Sequence, residues 1–322
     1  MNYKYLFKNL FIFFVCILIL GWGVQWFFDS LIDFSEWKMS QDKDAFLGSV
    51  SDNIVKAQEE YASKVQLPYR DWQIEDLKIN SEAAISVESD LVNHNKVLFK
   101  KNEQERLTMA SLVKLMTAVV SLENYELSKK IVISKTTTMK EDEQGPIITT
   151  DSMSVKDLLY IMLIESNNHA AYNLAEAIET KIFVELMNNK AKSLELKDTY
   201  FVDSTGLSPE NYSTAEDLVK LAEYILKNYP LIAQISKTEE FDLYKEDGIF
   251  YKKLINTNKL LLEIPESVGG KTGFTEEAKG CLLLITKNSK DNNYLINVIL
   301  GADDRFLEMK KMIDWVNLAY KW

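Results

Sequence analysis

Ser111 and Lys114 stand three residues apart in T108-M-A-S-L-V-K-L-M-T-A-V-V-S-L122, a spacing that puts both on one face of a helix. Ser111, Lys114, Thr117 and Ser121 fall in one polar stripe, while Leu112, Val113, Leu115, Met116, Val119 and Val120 cover the remaining faces. A helix apolar on nearly every side is a buried one. Burial disfavours the charged form of a lysine and moves its pKa toward the range where it accepts a proton. Ser111 and Lys114 are therefore a candidate nucleophile and base.

Taken alone, the helix has a plainer explanation: a lysine lays its stem on apolar surface, keeps its ammonium in water, and has a small core serine one turn away. Other residues weigh against it. The chain has only two histidines, His94 and His169, and two cysteines, Cys16 and Cys281. That inventory supports neither a histidine-based triad nor a zinc site, so chemistry should fall to hydroxyls, lysines and carboxylates. A net charge of -11 over 322 residues argues against nucleic acid as a partner.

Two further short motifs carry suitable groups. E165-S-N-N-H169 falls in a break between two apolar periodic segments, so Ser166 and Asn168 project from a short connection. G269-G-K-T-G273 leads into an apolar strand, which excludes a phosphate loop, since that motif needs a helix after its lysine. Each motif alone is a common turn or strand end.

The elements that must position them follow from periodicity. A83-A-I-S-V-E-S89 and K96-V-L-F-K100 read as strands of a hairpin around L91-V-N-H-N95. Ser154 with Asp157 and Thr214 with Asp217 resemble capping boxes opening helices at V155–I164 and A215–L226. H169–I178 and F183–K192 add two helices. The chain then returns to strands at K271–T275, C281–T286 and Y294–L300, with a turn at N288–N293, and closes with an amphipathic helix from about Asp304 to Tyr320. Strands at both ends around a helical centre predict an α+β domain whose antiparallel sheet is assembled from distant segments and flanked by helices. No repeat, low-complexity tract or C-terminal second domain is expected.

In the order S-x-x-K, S-x-N, K-T-G, the three motifs are far more specific than any one of them. With A110-S-L-V-K-L-M-T117, L158–A171, T199-Y-F-V-D-S-T-G-L207, N256-T-N-K-L-L261 and G270-K-T-G-F-T275, the chain resembles the low-molecular-weight penicillin-binding proteins, the serine D-alanyl-D-alanine carboxypeptidases, over roughly residues 80 to 318. That resemblance implies a β-lactamase/transpeptidase-like fold with a helical subdomain. It implies that Ser111 forms an acyl-enzyme, Lys114 acts as base, and Ser166 passes a proton toward the leaving amine, with no metal or organic cofactor required. It further implies that Asn168, Lys271, Thr272 and Gly273 bind a peptidoglycan stem peptide ending in D-Ala-D-Ala. The oxyanion hole would be the backbone N–H groups of Ser111 and Phe274, and β-lactam antibiotics would be acylating inhibitors. Ser166-Asn-Asn-His169 departs from the common S-G-N-D form at Asn167 and His169, which bears on local geometry and charge.

The N-terminal part differs in kind. Residues 10–28 (LFIFFVCILILGWGVQWFF) are uncharged and close to the ~20 residues of a spanning helix. Lys4 and Lys8 precede them, Asp29, Asp33 and Glu36 follow, and aromatic residues gather at the outer end. The run is longer than the ~7–15 apolar residues of a cleaved signal and no A-x-A-like site closes it. The expectation is a cytoplasmic tail (1–9), a transmembrane anchor in the bacterial cytoplasmic membrane (10–28), an extracytoplasmic spacer (29–73) with a weak helix over 52–66, and an external domain (74–322). With Cys16 in the bilayer, a disulfide to Cys281 is not expected. Alternatives remain for the activity: a DD-endopeptidase using the same residues, a β-lactamase, for which no persuasive E-x-x-L-N segment is present, or a non-catalytic wall-peptide binding or scaffold module.

Overall fold

The structure is a computed structural model that describes residues 68–92, 95–133, 152–245, 247–288 and 293–322. The expected tail, anchor and 52–66 helix lie outside these residues, as do parts of the turns at 91–95 and 288–293. Among the described residues, no helix is long and apolar enough to cross a membrane.

Leu67–Trp322 is one compact unit. Its main strands are β1 (Ala83–Ser89), β2 (Asn95–Lys101), β3 (Glu240–Tyr244), β4 (Phe250–Ile255), β5 (Ser267–Thr275), β6 (Lys279–Lys287) and β7 (Tyr294–Ala302). Its α-helices are α1 (Val113–Asn124), α2 (Val155–Ile164), α3 (Asn168–Glu176), α4 (Thr180–Ser193), α5 (Ala215–Asn228), α6 (Pro230–Ser236) and α7 (Arg305–Ala319). The sheet runs β5-β6-β7-β1-β2 and every neighbouring pair is antiparallel. It joins the two ends of the domain, as the strand pattern predicts.

The central strands are buried along nearly their whole length because both faces are covered. Alternate residues serve the two sides: Leu283, Ile285 and Val298 enter the core shared with the central helices, while Leu282, Leu284 and Ile299 pack with Met309, Met312 and Ile313 of α7. Each such side chain contributes ~1.5–3 kcal/mol on burial. Asn297, the polar break in β7, accepts a 2.7 Å hydrogen bond from Ser86 directly across the ladder. At the edge, β2 alternates exposed and covered positions and carries three lysines, a composition that discourages pairing with another chain.

Both expected caps form. The Ser154 hydroxyl accepts from the Asp157 amide at 3.1 Å, and Thr214 accepts from the Asp217 amide at 3.0 Å. The Asp217 carboxylate turns elsewhere, to the Asp198 amide, Thr199 and Lys220.

Three features escape the sequence pattern. The hairpin β3–β4 mixes charges into short strands, α6 is a seven-residue helix with proline at its start, and Tyr69–Arg70 pairs with Tyr320–Lys321. The folded part thus reaches back past residue 74, into residues expected to be spacer. Cys281 is a buried free thiol.

Candidate active site

Four segments converge beside the end of the sheet: the start of α1, the α2–α3 connection, the loop 203–208, and β5. Ser111 sits in a 3-10 turn, Ala110–Leu112, that runs directly into α1. Ala110 has φ of +47° and Ser166 has φ of +63°, a region where non-glycine residues are uncommon and strain of order 1–3 kcal/mol is held by surrounding structure. Tight turns therefore present both hydroxyls. Around the first, the chain leaves no room for side chains. A Cβ on Gly206, whose φ is +87°, would lie 2.1 Å from the Ala110 carbonyl oxygen, and one on Gly273 would lie 3.0 Å from both the Ala110 Cβ and the Ser111 amide nitrogen. The Ser111 amide is thus flanked closely by β5 at Gly273.

Lys114 is fully buried. Its Nζ is 2.8 Å from Ser111 Oγ, 2.6 Å from Asn168 Oδ1 and 2.7 Å from the Thr205 carbonyl oxygen. Asn168 Oδ1 and the Thr205 carbonyl can only accept, whereas a serine hydroxyl can also donate. An ammonium satisfies that arrangement by donating to all three oxygens, and a neutral amine satisfies it by giving its two hydrogens to the pure acceptors and its lone pair to the Ser111 hydroxyl. This is the geometry a general base requires. The rest of the polar stripe supports the same loop: Thr117 donates to the Ser204 carbonyl at 2.7 Å, and Ser121 donates to the Thr117 carbonyl at 2.7 Å.

On the opposite side, Lys271 of β5 is buried and donates to Ser166 Oγ at 2.8 Å and to the Thr272 carbonyl at 2.9 Å. Burial, with the nearby charges of Lys114 and Arg305, holds its pKa well below the ordinary lysine value. An anion arriving here would restore the charged form. The Thr272 hydroxyl is 2.5 Å from that of Thr257. Phe274, next on β5, leaves its ring largely exposed.

The side chains expected from the motifs thus form two adjacent hydrogen-bonded groups, Ser111–Lys114–Asn168 and Ser166–Lys271, with Thr272 bonded to Thr257 and Gly273 pressed against the Ser111 turn. The departures in the second motif have structural roles: Asn167 Oδ1 caps α3 by accepting from the Ala170 amide at 2.8 Å, and His169 is buried in that helix. Four contributors escape the motifs. Asp203 organises the loop that carries Thr205. Thr257, whose amide also donates to the Ile164 carbonyl at 3.1 Å, ties β5 to the end of α2. Arg305 donates to the Gly273 carbonyl at 3.2 Å. Glu165 binds Lys252 at 2.7 Å beside Ser166; burial pushes its carboxyl upward while Lys252 opposes the shift. Asp203 and Thr257 lie in T199–L207 and N256–L261, stretches that entered the sequence resemblance with no role attached to either residue.

Fold and cleft together define a penicillin-binding protein/transpeptidase-like α+β domain. Residues 71–304 match the Peptidase S11 family, D-alanyl-D-alanine carboxypeptidase, and the chain belongs to that family. It is 35% identical over 257 residues to the D-alanyl-D-alanine carboxypeptidase DacF of Bacillus subtilis, an alignment covering 76% of this chain and 64% of that protein. It is also 35% identical over 232 residues to the D-alanyl-D-alanine endopeptidase of Escherichia coli, covering 70% and 74% respectively. The fold is similar to penicillin-binding protein D2 of Listeria monocytogenes in its cefotaxime-bound form, with a TM-score of 0.65 and 28% identity over 76% of this chain and all of that one.

Proposed function

We propose that the protein is a serine DD-carboxypeptidase, anchored in the cytoplasmic membrane through residues 10–28 with its catalytic domain outside, that removes the terminal D-alanine from peptidoglycan stem peptides. The observation that carries this reading is the placement of Lys114 Nζ 2.8 Å from Ser111 Oγ, with two further acceptor oxygens on the same nitrogen.

In the acylation step, Ser111 Oγ attacks the carbonyl carbon between the two D-alanines while its proton passes to Lys114 Nζ. Negative charge on the carbonyl oxygen is received by the amides of Ser111 and Phe274. The C–N bond then breaks, the leaving amine takes a proton by way of Ser166, and D-alanine departs. Water adds to the acyl carbon and releases Ser111. Throughout, Lys271 and Thr272 hold the substrate's terminal carboxylate with a cation and a hydroxyl, and Asn168 orients both Lys114 and the substrate amide. A β-lactam reaches the same Ser111 acyl-enzyme by opening of its ring, so β-lactams are expected to act as inhibitors.

A second reading is favoured by one observation, the similarity at 35% identity to a D-alanyl-D-alanine endopeptidase across 74% of that protein's length. The same residues would then cut a cross-link whose leaving amine belongs to a second stem peptide. Both are tested by incubating the full chain in detergent with a pentapeptide ending in D-Ala-D-Ala and, separately, with a cross-linked muropeptide dimer. Free D-alanine from the first supports the carboxypeptidase. Cleavage of the dimer alone transfers the assignment to the endopeptidase, and turnover of neither overturns both.

A further inference from the structure

Asp203 lies outside the three motifs, yet its carboxylate is the hub of the loop that faces Lys114. Its Oδ1 accepts from the Thr205 amide at 2.6 Å, the Thr205 hydroxyl at 2.8 Å and the Gly206 amide at 2.7 Å. Its Oδ2 accepts from the Ser208 amide and from Asn211 Nδ2, each at 2.9 Å. Asn211 returns the contact by accepting from the Asp203 amide at 3.3 Å, and also accepts from the Val202 amide at 2.9 Å. The loop so closed sends two successive carbonyls to α1: Ser204 to Thr117, and Thr205 to Lys114. It also seats Gly206 against the Ala110 carbonyl.

We infer that Asp203 is a positioning residue for Lys114, holding the Thr205 carbonyl where it takes one Nζ–H bond and so aims the amine's lone pair at Ser111. The inference rests on the assignment of Ser111 and Lys114 as nucleophile and base. Without a fixed Thr205 carbonyl, the amine can rotate about its last bond and present an N–H to Ser111 instead. A carboxylate suits the position because all five groups around it are donors. An asparagine would turn an N–H₂ toward one set of them, leaving buried donors facing each other. Burial pushes the Asp203 carboxyl upward, but the hydrogen bonds from Gly206, Ser208 and Thr205 outweigh it and hold the pKa below the ordinary aspartate range, so the carboxylate persists at any pH where a lysine could serve as base.

The test is the pH profile of benzylpenicillin acylation by the full chain in detergent, with rates normalised to acylatable sites, for the wild type, Asp203→Asn and Thr205→Ala. Asp203→Asn is expected to lower the plateau rate by roughly 10–100-fold, part of the ~10²–10⁴-fold that a general base contributes and of the order that a small misplacement costs. Its acidic limb should move to lower pH, because a carbonyl stabilises the ammonium form more than the amine. Thr205→Ala keeps the carbonyl and deletes one of the five bonds, so a fall of a few-fold with a smaller shift in the same direction is expected. That variant carries the test if Asp203→Asn does not fold. A folded variant whose rate per site and pH profile match the wild type overturns the inference. Lack of acylation in the wild type would instead overturn the assignment of Ser111 on which it rests.

Discussion

The two buried lysines of the cleft are held in contrasting ways. Lys114, on a helix, is ringed by the Ser111 hydroxyl and two oxygens from distant segments, Asn168 and Thr205. Lys271, on a strand, binds the Ser166 hydroxyl and the carbonyl of its own neighbour, Thr272. In the proposed mechanism the first arrangement directs a lone pair at Ser111, as a base needs. The second holds a buried amine whose charged form is disfavoured until an anion arrives beside it. In the proposed mechanism two residues of one type serve different steps because different elements present them: α1 places Lys114 one turn from Ser111, and β5 places Lys271 beside Ser166.

That contrast predicts different kinetic signatures. Lys114→Ala should reduce acylation by about 10²–10⁴-fold, measured by stopped-flow with a chromogenic β-lactam. Lys114→Arg should do no better, since a guanidinium does not deprotonate in this range. Lys271→Ala should act mainly on KM for carboxylate-bearing substrates, by roughly 10–100-fold, the equivalent of ~1.5–3 kcal/mol for a hydrogen bond to a charged group.

The pH dependence should separate the two as well. Lys271 must be protonated to hold a carboxylate and its pKa is lowered by burial and by Lys114 and Arg305. KM should therefore rise with pH through that lowered value, and the rise should vanish in Lys271→Ala. In stability terms, the folded chain binds fewer protons at Lys271 than the unfolded chain between the lowered value and the ordinary one. This group's contribution to stability accordingly increases with pH across that window.

Thr257→Val, which removes the hydroxyl partner of Thr272, should raise KM about 2–10-fold, the loss of one neutral hydrogen bond at ~0.5–1.5 kcal/mol, and Thr257→Ser should restore it. Ser154→Ala provides the smallest effect on chemistry. It removes the cap of α2 and should cost about 1 kcal/mol in thermal denaturation with turnover per folded molecule unchanged.

Much of this was legible in the residues. The apolar wrapping of α1 revealed its burial, the S-x-x-K spacing put Ser111 beside Lys114, and the runs C281–T286 and Y294–L300 read as strands because both their faces are covered. Less regular parts were not. The hairpin β3–β4 interleaves lysines and acids with its apolar residues, and α6 is too short to show a helical period. The contributions of Asp203, Thr205 and Thr257 depend on backbone carbonyls and loop closure. Side-chain type carries little trace of those, so Asp203 stands in the T199–L207 stretch without a role until its five donors are seen together.

Intact-protein mass spectrometry of the full chain in detergent with benzylpenicillin, followed by peptide mapping, tests the role of Ser111 most directly. One covalent adduct on the peptide containing Ser111, absent from Ser111→Ala, is the predicted result. An adduct that persists in Ser111→Ala, or a wild-type protein that forms none, would contradict it.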